Sequence, residues 1–175
     1  RATQTNYLAR GVAPAYATMR TQPAAAGRFI DAEDVRLQRR VAFLGSEVAR
    51  KVFGTQPAVG ETIRLNGMAF KVVGVQREKV QLSNYARPDR ESVFIPYTTA
   101  GQLWNTEYLS TFIYQAVDST LGERTDRQVK ELLGKRLRFN PADERALRIF
   151  GLAQLTGVIS AMVFGLSLVV VGIGG

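Results

Sequence analysis

The sequence predicts an α+β domain exposed to water, followed by a C-terminal transmembrane α-helix. Three observations carry this reading. Asn66-Gly67 sits between two segments of alternating apolar and polar residues, the strongest short signal for a β-hairpin. Asp126 to Leu137 places Val129, Leu132, Leu133 and Leu137 near helical spacing, as an amphipathic helix requires. No charged residue follows Arg148, and Gly151 to Gly175 holds only Gln154, Thr156, Ser160 and Ser167 as polar side chains. A helix of that length would span roughly 37 Å at ~1.5 Å per residue, against a bilayer core of about 30 Å.

The other elements follow in chain order. Residues 12–20 have β-permissive character (Val12, Tyr16, Thr18, Met19), and Ala24 to Arg28 is small and turn-like. Asp31 to Asp34 is an acidic loop or a short helix start. Arg40 to Gly45 is a short apolar run, a buried strand by length and flanks. Ser46 with Glu47 reads as an N-cap opening a helix to Phe53, with Val48, Val52 and Phe53 on one face and Gly54 as the C-cap. Glu61 to Asn66 alternates with Ile63 and Leu65 inward, and Met68 to Val75 is the return strand. A polar connection over 76–91 leads to a strand at Ser92 to Pro96 and a short helix from Tyr97 to Trp104. Ser110 to Val117 alternates as a further strand. Asn140 as N-cap, Pro141 at the first helical position and Asp143 in the first turn start a helix near Pro141. Nothing before Gly151 stops that helix. The expected division is therefore a domain over 1–140 and a long helix over 141–175, its transmembrane part about 151–175.

Composition excludes several classes. Hydrophobic residues make up 46% and charged residues 22%, so the chain is neither a disordered tail nor a low-complexity linker. Cys and His are both absent, which removes disulfides, thiolate zinc sites and every catalytic arrangement that uses imidazole as its base. The net charge is +8, with nine cations against four anions in 1–60, six of each in 61–120, and eight against five in 121–150. A nucleic-acid binder concentrates cations on one element interleaved with aromatics. The nearest approach is Lys135-Arg136-Leu137-Arg138-Phe139, which reads as cations at a negative helix terminus, and no nucleic-acid partner is expected.

Catalytic motifs fail on their spacing. Gly54 to Thr62 has five residues between its glycines where a phosphate loop needs four, and Glu61 stands where Lys must meet phosphate. Gly45-Ser46 lacks the second glycine of a nucleophile elbow. Asp31, Glu33 and Asp34 lack the spacing and the central Gly of a calcium loop. No catalytic, cofactor-binding or metal residues are assigned, and the chain is expected to bind no ATP. One row of small residues, Ala153, Gly157, Ala161 and Gly165, recurs at every fourth position and is a candidate helix-packing ridge in the membrane.

Six blocks then carry a family resemblance. They are Gly27-Arg28-Phe29 with Asp31 to Asp34, Val41 to Gly45, Val52-Phe53-Gly54, Val59 to Gly67, Phe70 to Val75, and Val93 to Ala100. In order and spacing they resemble the extracytoplasmic core domain of MacB-type ABC transporter permeases, related to FtsX and the lipoprotein-releasing permeases. Each block alone is weak. The match covers roughly Gly11 to Phe150, and Leu168 to Gly175 resembles the start of the family's second membrane helix.

The resemblance implies a topology. A first membrane helix precedes the domain, residues about 1–150 lie outside the bacterial cytoplasmic (inner) membrane, and the chain re-enters through the second helix, with two more to follow. Arg1 in place of Met and the unflanked apolar end mark a piece of a longer protein. The implied partners are an ABC ATPase domain or subunit, a second permease in a homodimer or heterodimer, the lipid bilayer and, in diderms, a periplasmic adaptor. The implied work is mechanotransmission, in which cytoplasmic ATP hydrolysis moves the outer domain to drive export. A membrane-anchored binding or adhesion module is the alternative. The net +3 over 121–150 then lies outside, where a positive-inside reading would not put it.

Overall fold

The computed structural model describes residues 7–79, 87–106 and 111–149. Six strands, β1 (Leu8–Val12), β2 (Ala24–Gly27), β3 (Val41–Leu44), β4 (Thr62–Leu65), β5 (Met68–Gln76) and β6 (Ser92–Pro96), form one mixed sheet. Its order is β1-β6-β3-β5-β2. β1 runs parallel to β6 and β3 parallel to β5, while β3–β6, β2–β5 and β4–β5 are antiparallel. The nine-residue β5 organises one side: β4 pairs its first half and β2 its second.

β3 and β6 are buried on both faces, which is why Val41 to Leu44 and Val93 to Ile95 read as unbroken apolar runs. Because side chains alternate, each strand feeds two cores. Ala42, Leu44, Val93 and Ile95 pack with Val48, Phe70 and Val72. Phe43 and Phe94 point the other way, onto Val12, Tyr16 and Ile30. Phe29 closes this second core edge-on to Phe43, with ring centroids 4.8 Å apart.

The hairpin forms as the sequence requires. Asn66 (φ 47°) and Gly67 (φ 82°) both take left-handed backbone, and Leu65 pairs Met68. The buried strand at 41–44, the strand at 92–96 and the helix ended by Gly54 are also present.

Five expectations are corrected. Of residues 12–20, Val12 ends β1 but Tyr16–Met19 form a short helix, α1, because Pro14 fixes the entry and the carbonyls of Ala13, Pro14 and Ala15 accept from Tyr16, Ala17 and Met19. Ala24 to Gly27 is a strand, and its small residues suit a close approach: a Cβ at Gly27 would overlap the Val73 carbonyl. The helix α3 (Ser46–Phe53) is capped by Gly45, so Ser46 is its first residue and makes no side-chain cap bond. Residues 111–116 join no sheet, although their side chains alternate. Phe112 is exposed, and Ile113 packs on the second core. No helix starts at Pro141: the Asn140 and Asp143 carboxamide and carboxylate oxygens accept from the N–H groups of Ala142 and Arg145, which holds the backbone in turns.

The chain divides into two compact units, 1–114 and 115–175. In the second, Asp118 accepts from Thr120 and opens a turn leading into α5 (Gly122–Leu137). α5 ends at Arg138 in left-handed backbone (φ 59°), and Gly134 lies where a Cβ would meet Pro141 at 2.7 Å. Val129 and Leu133 are half-buried, whereas Leu132 and Leu137 of the expected apolar face are exposed. Among the described residues no helix is long and apolar enough to cross a membrane. The expected span, 151–175, lies outside the described residues, as do Ala153, Gly157, Ala161 and Gly165.

Candidate functional site

A buried charge cluster lies at the end of the sheet where β6 begins. Asp89, fully buried, sits in a single helical turn, Asp89–Glu91, immediately before β6. Its carboxylate gathers groups from separate segments. From β1, Arg10 donates through Nη1 at 3.0 Å. The Tyr16 hydroxyl of α1 donates at 3.2 Å, and Gln22 Nε2 at 2.6 Å. Arg20 Nη2 lies 3.6 Å away and Lys79 Nζ 3.3 Å. Gln76, at the end of β5, donates in turn to Gln22 Oε1 at 2.6 Å.

The cations are themselves held. Arg10 also donates to the Arg87 carbonyl, and its guanidinium lies 5.9 Å from the centre of the Phe94 ring. Lys79 donates to the carbonyls of Arg20 and Thr21. One carboxylate thus faces three cations in a region of low solvent access. Burial pushes the Lys79 ammonium below its ordinary pKa, against the opposing pull of Asp89. Burial, then the Asp89 charge, pushes the Tyr16 phenol up, so it remains a hydrogen-bond donor. The arrangement offers no nucleophile with a base. It joins β1, α1, the end of β5 and the start of β6 into one unit.

A second clamp fixes the loop between β2 and β3. Asp34, also fully buried, takes both Arg28 amino groups, at 2.6 and 3.0 Å, and the Asp31 N–H at 3.1 Å. Asp31 accepts the Asp34 N–H in return, a capping box opening α2 (Ala32–Arg36). Burial alone would raise the Asp34 pKa. The hydrogen bonds from Arg28 and from the Asp31 backbone, with the nearby guanidiniums of Arg28 and Arg39, overcome it and hold the carboxyl below its ordinary range. The helix α4 (Tyr97–Ala100) locks onto α2 and the segment after it through Thr98 and Thr99, whose hydroxyls donate to the carbonyls of Val35 in α2 and of Arg39 beyond it.

A folded-state pKa below the unfolded one means stability present at neutral pH and lost as pH falls through the folded value. Asp34→Asn should therefore cost about 2 kcal/mol at neutral pH, the worth of a buried charge-assisted bond. The gap to the wild type should shrink as pH drops below 3.8. Denaturant titrations at several pH values check this, and a pH-independent gap contradicts it.

Two surface cavities, about 520 and 310 Å³, are lined mainly by charged side chains, including Asp126, Lys130 and Arg145 in one and Glu47, Arg50 and Lys79 in the other. Among the described residues no group of acidic side chains could hold a metal ion. Sequence reasoning missed the Asp89 cluster entirely, because its members are spread from Arg10 to Asp89 with no motif spacing. Pro88 with an acid just ahead of a strand was the one local hint.

This fold has counterparts. The family described as MacB-like periplasmic core domain matches residues 1–132. The macrolide export ATP-binding/permease protein MacB of Bdellovibrio bacteriovorus is 32% identical over 183 aligned positions, covering 97% of this chain and 28% of that protein. The protein of the same name from Chlorobium phaeobacteroides is 28% identical, covering 90% of this chain and 24% of that one. Among solved structures, the extracellular domain of the noncanonic ABC-type transporter YknZ from Gram-positive bacteria is similar at a TM-score of 0.65 and 18% identity, over 77% of this chain and 66% of that one. The periplasmic region of MacB from Actinobacillus actinomycetemcomitans is similar at a TM-score of 0.57 and 20% identity, over 75% and 57%.

The fold class is thus that of the outer domains of ABC-type transporters. The chain belongs to the MacB-like periplasmic core domain family. It spans about a quarter of the length of the curated relatives it matches.

Proposed function

We propose that this chain is the extracytoplasmic domain, with the following membrane helix, of the permease in a MacB/FtsX-type ABC transporter. The observation that carries the reading is the family match over residues 1–132, supported by a sheet like those of two transporter outer domains. The domain sits outside the bacterial cytoplasmic membrane and converts motion driven by cytoplasmic ATP hydrolysis into export. The ATPase lies on a partner domain or subunit, and two permeases form the working unit. Ala153, Gly157, Ala161 and Gly165 pack the helix of 151–175 against a neighbouring membrane helix. A periplasmic adaptor is a further partner where an outer membrane exists.

Two physical features support a mechanical role. The cavities described above are charged, unlike the mostly apolar pockets that hold drug-sized ligands. The Asp89 cluster ties β1 to the turn that opens β6, a joint suited to a part that transmits displacement.

These 175 residues hold no Cys, so a topology test on the full-length protein needs only any cysteines outside them replaced. Val52→Cys, on an exposed face of α3, should react with a membrane-impermeant maleimide in intact cells expressing the full-length protein. Labelling that requires lysis of the cells would overturn the extracytoplasmic placement.

A further inference from the structure

Of the five asparagines, Asn66 alone precedes a glycine; Asn6 and Asn84 precede tyrosine, Asn105 threonine and Asn140 proline. Asn66 and Gly67 form the tip of the β4–β5 hairpin, beyond the ladder that Leu65 and Met68 close. Both are exposed, at φ 47° and φ 82°. Among the described residues the Gly67 N–H makes no hydrogen bond, while Arg64 Nη1 donates to the Gly67 carbonyl at 3.0 Å. The Asn66 carboxamide has one tie: Nδ2 donates to the Leu103 carbonyl at 3.1 Å, joining the hairpin tip to the segment after α4.

The carbon of an asparagine side-chain amide lies within reach of the next backbone nitrogen, and the two can close a cyclic imide. A side chain on the following residue crowds that closure, and a following proline has no N–H to give up. Glycine does neither. The turn needs left-handed backbone at both central positions, so the fold itself selects this pair. The Arg64 guanidinium beside the Gly67 carbonyl favours the negative charge that develops during attack. The bond to Leu103 holds the amide away until it opens, and at an exposed turn one such bond opens without disturbing the ladder.

We propose that Asn66 is a site of spontaneous covalent modification in the folded domain, with water as co-reactant. The Gly67 nitrogen bonds to Asn66 Cγ, the Cγ–Nδ2 bond breaks, and Nδ2 leaves as ammonia with the proton given up by Gly67. Water then opens the imide. Attack at Cγ leaves aspartate, and attack at the Asn66 main-chain carbonyl carbon leaves isoaspartate. Neither product keeps the donor to Leu103, and each adds a negative charge. Isoaspartate also lengthens the main chain of a two-residue turn. The modification therefore frees the hairpin tip from the segment after α4.

The test ages the full chain in detergent, in mildly alkaline buffer, and maps it by mass after trypsin digestion, with a sample taken at the start as baseline. Cleavage after Arg64 and Lys71 isolates Leu65–Lys71, in which Asn66 is the one amide side chain. Asn66 should be lost at least about tenfold faster than any other asparagine, a barrier lower by about 1.4 kcal/mol, and isoaspartate should accumulate in this peptide. Hydrogen exchange over 101–104 should rise as the protein ages, and fresh Asn66→Asp should show the same rise from the outset. Loss at Asn66 no faster than at the other asparagines overturns the proposal. So does loss seen only after the chain is unfolded in urea, because the native turn would then block ring closure. Aged, modified protein whose exchange over 101–104 equals that of the fresh protein overturns the release of the hairpin tip.

Discussion

Asp89→Ala should lower the unfolding free energy of the domain by about 3–5 kcal/mol, the cost of removing one partner from a buried ion cluster. The loss is large because the carboxylate is fully buried and faces Arg10, Arg20 and Lys79 together. Without it, these cations repel one another at low solvent access, and Tyr16 and Gln22 lose their acceptor. Removing one cation should cost far less. Lys79→Met gives up bonds to two carbonyls, but it also removes an ammonium whose burial the site only partly offsets, so a loss of about 1 kcal/mol is expected. Denaturant unfolding of both variants checks the asymmetry. Equal losses would mean that the cluster is not organised around Asp89.

Gly45→Ala should cost about 3 kcal/mol, the upper end for forcing extra volume into a packed interior. A Cβ there would overlap the carbonyl oxygens of Arg90 and Asp89, which are backbone atoms that cannot rotate away. Relief requires the turn carrying Asp89 to shift, so the substitution also strains the charge cluster. Gly122→Ala is the contrast: it opens α5 in ordinary helical backbone with no atom within 4 Å of the added methyl. That change should leave stability unchanged or raise it by up to about 1 kcal/mol. Thermal unfolding of the two alanine variants separates crowding from a general effect of losing glycine.

Much of the sheet was legible because local chemistry decided it. Asn66-Gly67 fixes a turn, Gly54 stops a helix, and runs such as Val41 to Leu44 are apolar because both faces of β3 are covered. What failed locally was decided by distant atoms. The weak strand formers Ala24 to Gly27 become a strand because β5 offers them an open edge. Residues 111–116 have the alternation of a strand but join no ladder. Asn140-Pro141 carries a helix-start signature, yet the side chains of Asn140 and Asp143 tie the backbone into turns instead.

The site was legible in part. Gly27 to Asp34 entered the family resemblance, and its residues prove to be the close contact, the chelating arginine, the core aromatic and the capping box. Arg10, Arg20, Gln22, Gln76, Lys79 and Asp89 escaped because no sequence period links them. Only folding brings their side chains to one carboxylate.

The proposed role requires that β1 and β6 move together when motion passes through the domain. Arg10→Lys tests it with the least disturbance. It keeps the charge beside Asp89 but removes the planar fork that also reaches Tyr16 and the Arg87 carbonyl. The measurement is export per ATP hydrolysed by the full-length transporter reconstituted in liposomes with its ATPase. The account predicts that ATP hydrolysis continues while export per ATP falls. Export per ATP equal to that of the wild type, with the β1–β6 joint shown by hydrogen exchange to be loosened, would contradict it.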